Sequence, residues 1–277
     1  MIKIVTDSSC DLPERLIKEY GITVVPLHIH IGEKSYLDNV EMSRESFYTN
    51  LPGYKPPPTT ASPAPETFIK IFERLASEGA SQVLAIHVSK VLSGTYHAAL
   101  LAVKEFSRVP VTVLDSRQLS LGFGLQVLSA ARLAQTGESL ELILNALENQ
   151  VRRTYVYAAL DTLEYLRRSG RMNAFMAGLG SLLDIKPIMK MHDGKPSSQL
   201  IRTWNGAMQV LVRLVKELGP LEHISFVHSN ALEKARWLAE KVSGTAAEDV
   251  GFFEMINPVL GAHVGPGVVG VICIQKG

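Results

Sequence analysis

The feature that most constrains the fold is an alternation of short β-branched segments with longer amphipathic ones. IKIVT at residues 2–6 is followed by the helix-like PERLIKEY, and QVLAIHV at 82–88 is followed by TYHAALLAVKEF at 95–106. Strands separated by helices usually pair in parallel, because the crossover helix returns the chain to the same end of the sheet. The sequence therefore predicts an α/β protein.

The chain has 277 residues, enough for one large domain or for two of the usual size, roughly 100 to 200 residues each. An amphipathic segment at residues 138–151 is followed by the strand-like YVYAAL at 155–160. This junction predicts a domain boundary near residue 150. We therefore expect an N-terminal α/β domain at residues 1–150 and a C-terminal α/β domain at residues 151–277.

Composition excludes several classes of function. Lys and Arg total 28 against 27 Asp and Glu, a net charge of +1, so the chain lacks the basic excess of a nucleic-acid binder. Its two cysteines, Cys10 and Cys273, are too few for a disulfide framework and lack metal-ligand spacing. The opening MIKIVTDSS is strand-like rather than a signal peptide, and no apolar run has the length of a membrane helix. We expect a cytoplasmic protein with no metal and no cofactor.

The first candidate site is Ser93-Gly94-Thr95, where a predicted strand gives way to a helix. Ser93 is placed to cap that helix, whose first amides then point outward and attract an anion. Gly94 lets a ligand approach the backbone closely. An ordinary serine cap is the alternative. No G-x-x-x-x-G-K-[ST] segment indicates a nucleoside triphosphate.

A proline-rich loop presents further hydroxyl groups. Residues 55–65, KPPPTTASPAP, contain five prolines, which exclude a helix interior or a central strand. Thr59 and Thr60 in this loop are able to bond an anion without bringing a charge of their own. Hydroxyl residues are also ordinary loop residues, so the loop alone is a weak indication.

His263 stands in a glycine-rich segment, GAHVGPG, before the last strand. The letters GPGVVG at 265–270 match a dinucleotide fingerprint, but only seven residues follow Gly270, too few for the helix and acidic residue of such a site. The segment instead predicts a tight turn that brings His263 to a ligand or to a structural partner, and both readings stay open. His28 and His30 lack a third metal ligand, so we interpret them as a strand face.

The acidic residues near the start of the chain are interpreted as turn and cap residues. Asp11-Leu12-Pro13-Glu14 has the spacing of a capping box with a first-turn proline, and Gly21 follows the predicted helix as a left-handed terminator. Asp7 follows the first strand, where a turn residue is usual. Nothing close to Cys10 in the sequence predicts a lowered thiol pKa.

Six motifs stand in a fixed order along the chain: TDSSCDLP, PTTASP, SKVLSGTYHAA, VLDSRQLSLGFG, LEYLRRSGRMN with IKPIMKMHDGK, and GAHVGPG. Taken together, from the first strand to the last, they resemble the DegV family, the bacterial fatty-acid-binding proteins that serve a fatty acid kinase. The resemblance implies a two-domain DegV-like α/β fold, with a mostly parallel N-terminal sheet and a mixed C-terminal sheet.

The resemblance also implies one long-chain fatty acid buried between or within the domains, its carboxylate held by hydroxyls and a histidine. Carried over to this chain, the carboxylate-binding residues are Ser93 and Gly94 of the SGT motif, Thr59 or Thr60 of the proline loop, and His263. Arg202, after the HDGK turn, resembles a family arginine near the carboxylate.

A fatty acid requires an apolar tunnel, and the segment after residue 171 offers side chains for it. The candidates are Phe175, Met176, Leu179 and Leu183, for most of which ordinary domain core is the alternative. The cations Arg167, Arg168 and Arg171 complement the end of a helix. The resemblance makes this cluster a docking surface for an acidic kinase partner, with Arg171 as the expected contact.

Three functions follow from these residues. The first is a carrier that presents a fatty acid to an ATP-dependent kinase and needs no catalytic base of its own. The second is an acyl ester or thioester hydrolase with Ser93 as nucleophile, His263 as base and Asp7 or Asp115 as orienting acid, although Ser93 lies outside a G-x-S-x-G elbow. The third is a carrier for another amphipathic carboxylate. We favour the first.

Overall fold

The computed structural model describes residues 1–175, 185–245 and 249–277, and only the backbone of residues 249 and 250. The strands are β1 (Ile2–Asp7), β2 (Thr23–Val25), β3 (His28–Ile31), β4 (Lys34–Leu37), β5 (Thr59–Ala61), β6 (Gln82–His87), β7 (Val111–Asp115), β8 (Thr154–Ala159), β9 (Lys186–His192), β10 (Lys195–Ile201), β11 (Leu221–His228), β12 (Asp249–Met255) and β13 (Val269–Gln275). The helices are α1 (Glu14–Glu19), α2 (Arg44–Asn50), α3 (Pro65–Ser77), α4 (Thr95–Glu105), α5 (Leu121–Gln135), α6 (Leu140–Arg153), α7 (Glu164–Arg168), α8 (Met172–Phe175), α9 (Trp204–Glu217), α10 (Leu232–Val242) and α11 (Pro258–Val264).

The first sheet is parallel and has the strand order β2-β1-β6-β7. Helices α3 and α4 cover one face, where Phe68 and Phe72 are fully buried. Helices α1 and α5 cover the other face, against Ile4 and Leu84. Because the strands are parallel, the loops after β1 and β6 open at the same edge, where α/β sheets usually bind ligands.

A small antiparallel sheet with the order β4-β3-β5 lies between β2 and α3 in the chain. Ile29 of β3 pairs with Thr60 of β5. Helix α2 buries Phe47 and Tyr48 in one cluster with Val259 of α11. The small sheet therefore packs on α11 and brings β5 beside the C-terminal half.

The second large sheet is mixed and has the order β10-β9-β8-β13-β11-β12. Its strands pair antiparallel except for β11 and β12, which are parallel. Helices α9 and α10 cover one face through Leu211 and Leu238. Helices α5 and α6 cover the other face, where Phe123 and Ile143 share a core with Ile272. Helix α5 is thus packed between the two large sheets.

The two large sheets confirm the predicted α/β class, with a parallel sheet in the first half and a mixed sheet in the second. Strands β1–β7 precede residue 150 and β8–β13 follow it. The division into domains at that residue stays a prediction, because α5 packs against strands of both halves. Within the described residues, no helix is long and apolar enough to cross a bilayer.

Two predicted helix caps are wrong. Helix α1 has Pro13 at its N-cap position and no side-chain hydrogen bond there, because the Asp11 carboxylate is fully buried and serves other donors. Helix α4 has Gly94 as its N-cap residue, so Ser93 lies one residue earlier. Gly21, by contrast, has the expected left-handed backbone, with a φ of 60°.

Candidate functional site

A cavity lies where the two halves of the chain meet. The loops after β1 and β6 supply Ser9, Val88 and Leu92, the inner faces of β8 and β9 supply the opposite wall, and α11 supplies Val259 and Leu260. Most of the lining is apolar. A concave, mostly apolar surface with a few polar groups is typical of a small-molecule site.

Polar side chains gather at the end of the cavity where β5 meets α11. Thr60 Oγ1 and His263 Nε2 are 2.9 Å apart, and both residues line the cavity. Residues alternate between the two faces of a strand, so Thr59 lies on the opposite face from Thr60 and is exposed. Of the two threonines that the sequence left open, Thr60 is the one that reaches the cavity.

Three further hydroxyls form a cluster beside that pair. Ser93 Oγ lies 2.9 Å from Thr95 Oγ1 and 3.4 Å from Ser62 Oγ, and Thr95 Oγ1 donates to Ser62 Oγ at 3.3 Å. The Thr95 amide also donates to Ser93 Oγ at 3.3 Å. A Cβ at Gly94 would lie 3.4 Å from Ser62 Oγ, so the glycine allows the two loops to meet. Thr95 belongs to the Ser93-Gly94-Thr95 candidate site and Ser62 to the proline loop, but neither was among the carboxylate-binding residues that the family resemblance implied.

Burial sets the charge of His263. Desolvation, with a smaller contribution from the positive charge of Arg171, lowers its pKa from 6.5 to about 3. The imidazole is therefore neutral at physiological pH. Its Nδ1 is buried and has no hydrogen-bond partner among the described residues, so one ring nitrogen is available to a ligand.

Arg171 brings a fixed positive charge to the same end of the cavity. It is a lining residue, and its Nη1 donates to the Ser169 carbonyl at 2.7 Å. The sequence placed Arg171 on an external docking surface, whereas the chain folds it inward after α7. One arginine, one neutral histidine and a group of hydroxyls suit a ligand with a single negative charge.

The remaining wall comes from two neighbouring strands. β8 and the residue after it contribute Val156, Ala158 and Leu160, and β9 contributes Met189, Lys190 and Met191. Sequence reasoning missed this wall, although its apolar residues follow the period-two alternation of a strand with one buried face. Of the predicted tunnel residues, Phe175 lines the cavity. The other three, Met176, Leu179 and Leu183, lie outside the described residues.

A group of buried, hydrogen-bonded polar residues, here called the polar junction, connects the elements that carry the site. Asp11 Oδ1 accepts hydrogen bonds from the backbone and side-chain nitrogens of Asn257 at 2.8 and 2.9 Å, and Asp11 Oδ2 accepts one from Ser120 Oγ at 2.5 Å. Arg44 of α2 lies 3.7 Å from Asp11 and donates to the Met255 carbonyl. The junction thus joins the first loop, α2 and the start of α11.

Several predicted site residues lie away from the cavity. Arg202 is exposed in the turn after β10 and is not among the lining residues. Gly94 is also exposed, beside Ser93. Arg167 and Arg168 project from α7 and both bond Glu164, at 3.1 and 2.6 Å. These two arginines remain candidates for an external contact.

The acidic residues considered for a hydrolase have other partners. Asp7 Oδ2 lies 3.0 Å from His87 Nδ1, and Asp7 Oδ1 accepts from Ser9 Oγ at 2.5 Å. Asp115 accepts the amides of Lys90 and Arg117 at 3.3 and 2.9 Å. Neither carboxylate orients His263 in this arrangement.

The comparison with protein families agrees with the sequence motifs. The family model described as "Uncharacterised protein, DegV family" matches residues 1–276. A DegV domain-containing protein of Streptomyces coelicolor is 35% identical over 282 residues, which cover 99% of this chain and 99% of that protein. The chain belongs to the DegV family.

Solved structures give the same relationship. A DegV family protein from Thermus thermophilus, described as fatty acid binding, superimposes with a TM-score of 0.90 at 33% identity, over 99% of each chain. DegV of Bacillus subtilis, described as a fatty acid binding protein, has a TM-score of 0.87 at 28% identity, also over 99% of each chain.

Proposed function

We propose that this protein binds one long-chain fatty acid in the cavity and presents its carboxylate to a fatty acid kinase. The observation that carries the proposal is a mostly apolar cavity in which Thr60, Ser93, Arg171 and His263 gather at one end. The descriptions of the Thermus thermophilus and Bacillus subtilis relatives as fatty acid binding support it.

The two ends of the cavity have separate tasks. Each buried methylene contributes about 0.8 kcal/mol, so a tail of about 15 gains on the order of 10 kcal/mol before the costs of association. The carboxylate accepts hydrogen bonds from the hydroxyls and from the free nitrogen of His263, and Arg171 supplies the opposite charge. The tail therefore supplies affinity and the head group supplies orientation.

The kinase step requires only that the carboxylate is held and accessible. A carboxylate oxygen attacks the γ-phosphorus of ATP, ADP leaves, and an acyl phosphate remains in the cavity. Arg167 and Arg168 are the proposed docking residues, because their side chains are 64% and 47% exposed beside the polar end. We place this step in the cytoplasm, where ATP is present.

The direct test is to denature the protein purified from cells, extract it with organic solvent and identify what is released by mass spectrometry. We expect close to one fatty acid per chain. Folded protein that yields no lipid, and that fails to bind palmitate or oleate added afterwards, would refute the proposal.

Two arginines offer a matched test of the head-group site. Arg171→Gln should weaken fatty-acid binding at least tenfold, because the charge that faces the carboxylate is lost. Arg202→Gln should leave the affinity unchanged, because that side chain is exposed. If Arg202→Gln weakened fatty-acid binding and Arg171→Gln did not, Arg202 would be the arginine at the carboxylate, as the sequence predicted.

The docking surface is tested with loaded protein, ATP and a purified fatty acid kinase. The double variant Arg167→Ala/Arg168→Ala should slow ADP release while fatty-acid retention stays unchanged. Arg213→Ala on α9, also an exposed arginine paired with a glutamate of its own helix, is the control. Equal rates for the double variant and the control would exclude α7 as the docking surface.

A further inference from the structure

Strand register orders the lining residues along the length of the cavity. β8 and β9 are antiparallel, with Ala158 opposite Met189 and Val156 opposite Met191. Lys190, between the two methionines, also lines the cavity, and the four paired residues line it from one shared face of the two strands. They form two layers, and the Val156 layer lies about 7 Å beyond the Ala158 layer along β8.

The polar end adjoins the carboxyl end of β8. β13 begins five residues after the end of α11, and its first residue, Val269, pairs with Ala159. The His263 end of α11 therefore lies near Leu160, which also lines the cavity. The layer of Val156 and Met191 is the one farthest from this end.

The first turn of α5 closes the space behind that layer. A Cβ placed on Gly122 would lie 2.6 Å from Val156 Cγ2 and 3.1 Å from Gln118 Oε1. The backbone of α5 is thus in direct contact with Val156, which has no room to move away from the cavity. Met191, 1% exposed, fills the position opposite with an unbranched and adaptable side chain.

We infer that Val156 and Met191 form the end wall of the cavity and set the length of acyl chain that the protein accepts. The inference rests on the proposed fatty-acid binding and adds to it the residues that determine chain-length specificity. A fatty acid whose terminal methyl just reaches this layer fits the cavity. A longer chain must displace Met191 or withdraw its carboxylate from His263.

The test measures the affinity of delipidated protein for straight saturated fatty acids from laurate to arachidate, by displacement of a fluorescent fatty acid. Met191→Ala removes Cγ, Sδ and Cε and opens the far end. The affinity for stearate relative to palmitate should rise about fourfold for each methylene accommodated, or about 15-fold for both. Val156→Ile adds one carbon to the wall and should lower the same ratio about fourfold.

Met208→Ala is the matched control, since Met208 is buried to a similar extent on the opposite face of the sheet. It should leave the stearate-to-palmitate ratio unchanged. If Met191→Ala fails to fold, Val156→Ile still tests the wall with the opposite shift. A ratio that neither variant moves beyond the control would overturn the inference and leave fatty-acid binding intact. A wild-type protein that binds none of the series would refute the proposed function itself.

Discussion

Asp38 shows how burial alters the chemistry of a single residue near the site. Its side chain is buried beside Asp11, Asp7, Ser8 and Arg44. Desolvation raises its pKa from 3.8 to about 7; the negative charges of Asp11 and Asp7 add to this rise, while the Ser8 hydroxyl and Arg44 oppose it. The folded chain therefore holds a proton on Asp38 at pH values where the unfolded chain has lost it.

This difference predicts a pH-dependent effect of Asp38→Asn. Since the folded pKa is raised, the free energy of unfolding falls as pH rises from about 4 to about 7 and is level above that range. An amide does not titrate, so the variant lacks this pH-dependent loss of stability. It should be more stable than wild type at pH 8, by roughly 2 to 4 kcal/mol, and nearly equal to wild type in stability at pH 4. Urea unfolding at both pH values measures it. If Asp38→Asn were less stable at pH 8 than at pH 4, relative to wild type, the prediction would be contradicted.

At this scale the sequence singled out Thr60, Ser93 and His263, which all line the cavity, because each stands in a short motif whose residue types suggest anion binding. It placed Arg171 on an outer surface and put Arg202 at the carboxylate. Whether Arg171 or Arg202 reaches the cavity depends on where the end of α7 lies relative to α11. A local sequence pattern does not contain that information. Asp11 likewise has the spacing of a helix cap, yet its carboxylate is used by partners more than 100 residues away.

At the scale of elements, α11 is the one that matters most to the site. Its N-cap residue Asn257 accepts the Leu260 amide at 2.9 Å and donates two hydrogen bonds to Asp11. Its last turn carries His263. A Cβ at Gly261 would lie 2.5 Å from Tyr48 Oη, so the glycine lets α2 pack closely. The helix is therefore fixed at its start and along its side, which positions His263.

This arrangement predicts that the cap of α11 affects binding as well as stability. Asn257→Ala removes the cap and leaves Asp11 with fewer donors, so it should cost about 1 to 3 kcal/mol of stability and weaken fatty-acid binding several-fold. Thr203→Ala removes the equivalent cap of α9, where Thr203 Oγ1 accepts the Gly206 amide at 3.1 Å. It should cost about 1 kcal/mol and leave binding unchanged. Thermal unfolding and fatty-acid titration of both variants measure the difference. Unchanged binding in Asn257→Ala would show that α11 does not need its cap to hold His263.

Elements with strong periodicity were predictable and others were not. β1, β6 and α4 have clear apolar patterns and form within a residue or two of their predicted bounds. β4, β10 and α11 were missed, because KSYL and KPSSQLI are polar and PVLGAHV contains glycine and proline. These elements form through pairing with β3 and β9 and through packing on α2. Tertiary contacts decide their structure, and local sequence does not contain them.

At the scale of the whole molecule, the cavity and the largest core both lie between the two halves. Phe123 and Ile143 come from before residue 150, and they share one cluster with Val156 and Ile272 from after it. Arg117, which also pairs with Glu148 of its own half, ties the halves together at the surface through Asp193. A ligand in the cavity contacts residues of both halves. The predicted domains are thus joined by apolar contacts and by the site itself.

We therefore expect the chain to unfold in one cooperative transition. Its two tryptophans, Trp204 and Trp237, report on the second half by fluorescence, and hydrogen exchange of the β6 amides reports on the first. Both probes should give the same urea midpoint, because the shared core is lost when either half unfolds. Palmitate at about 100 times its Kd should raise the stability seen by both probes by about 2.7 kcal/mol. Separate midpoints, with palmitate stabilising only one of them, would instead assign the ligand to one half and make residues 1–150 an independent folding unit.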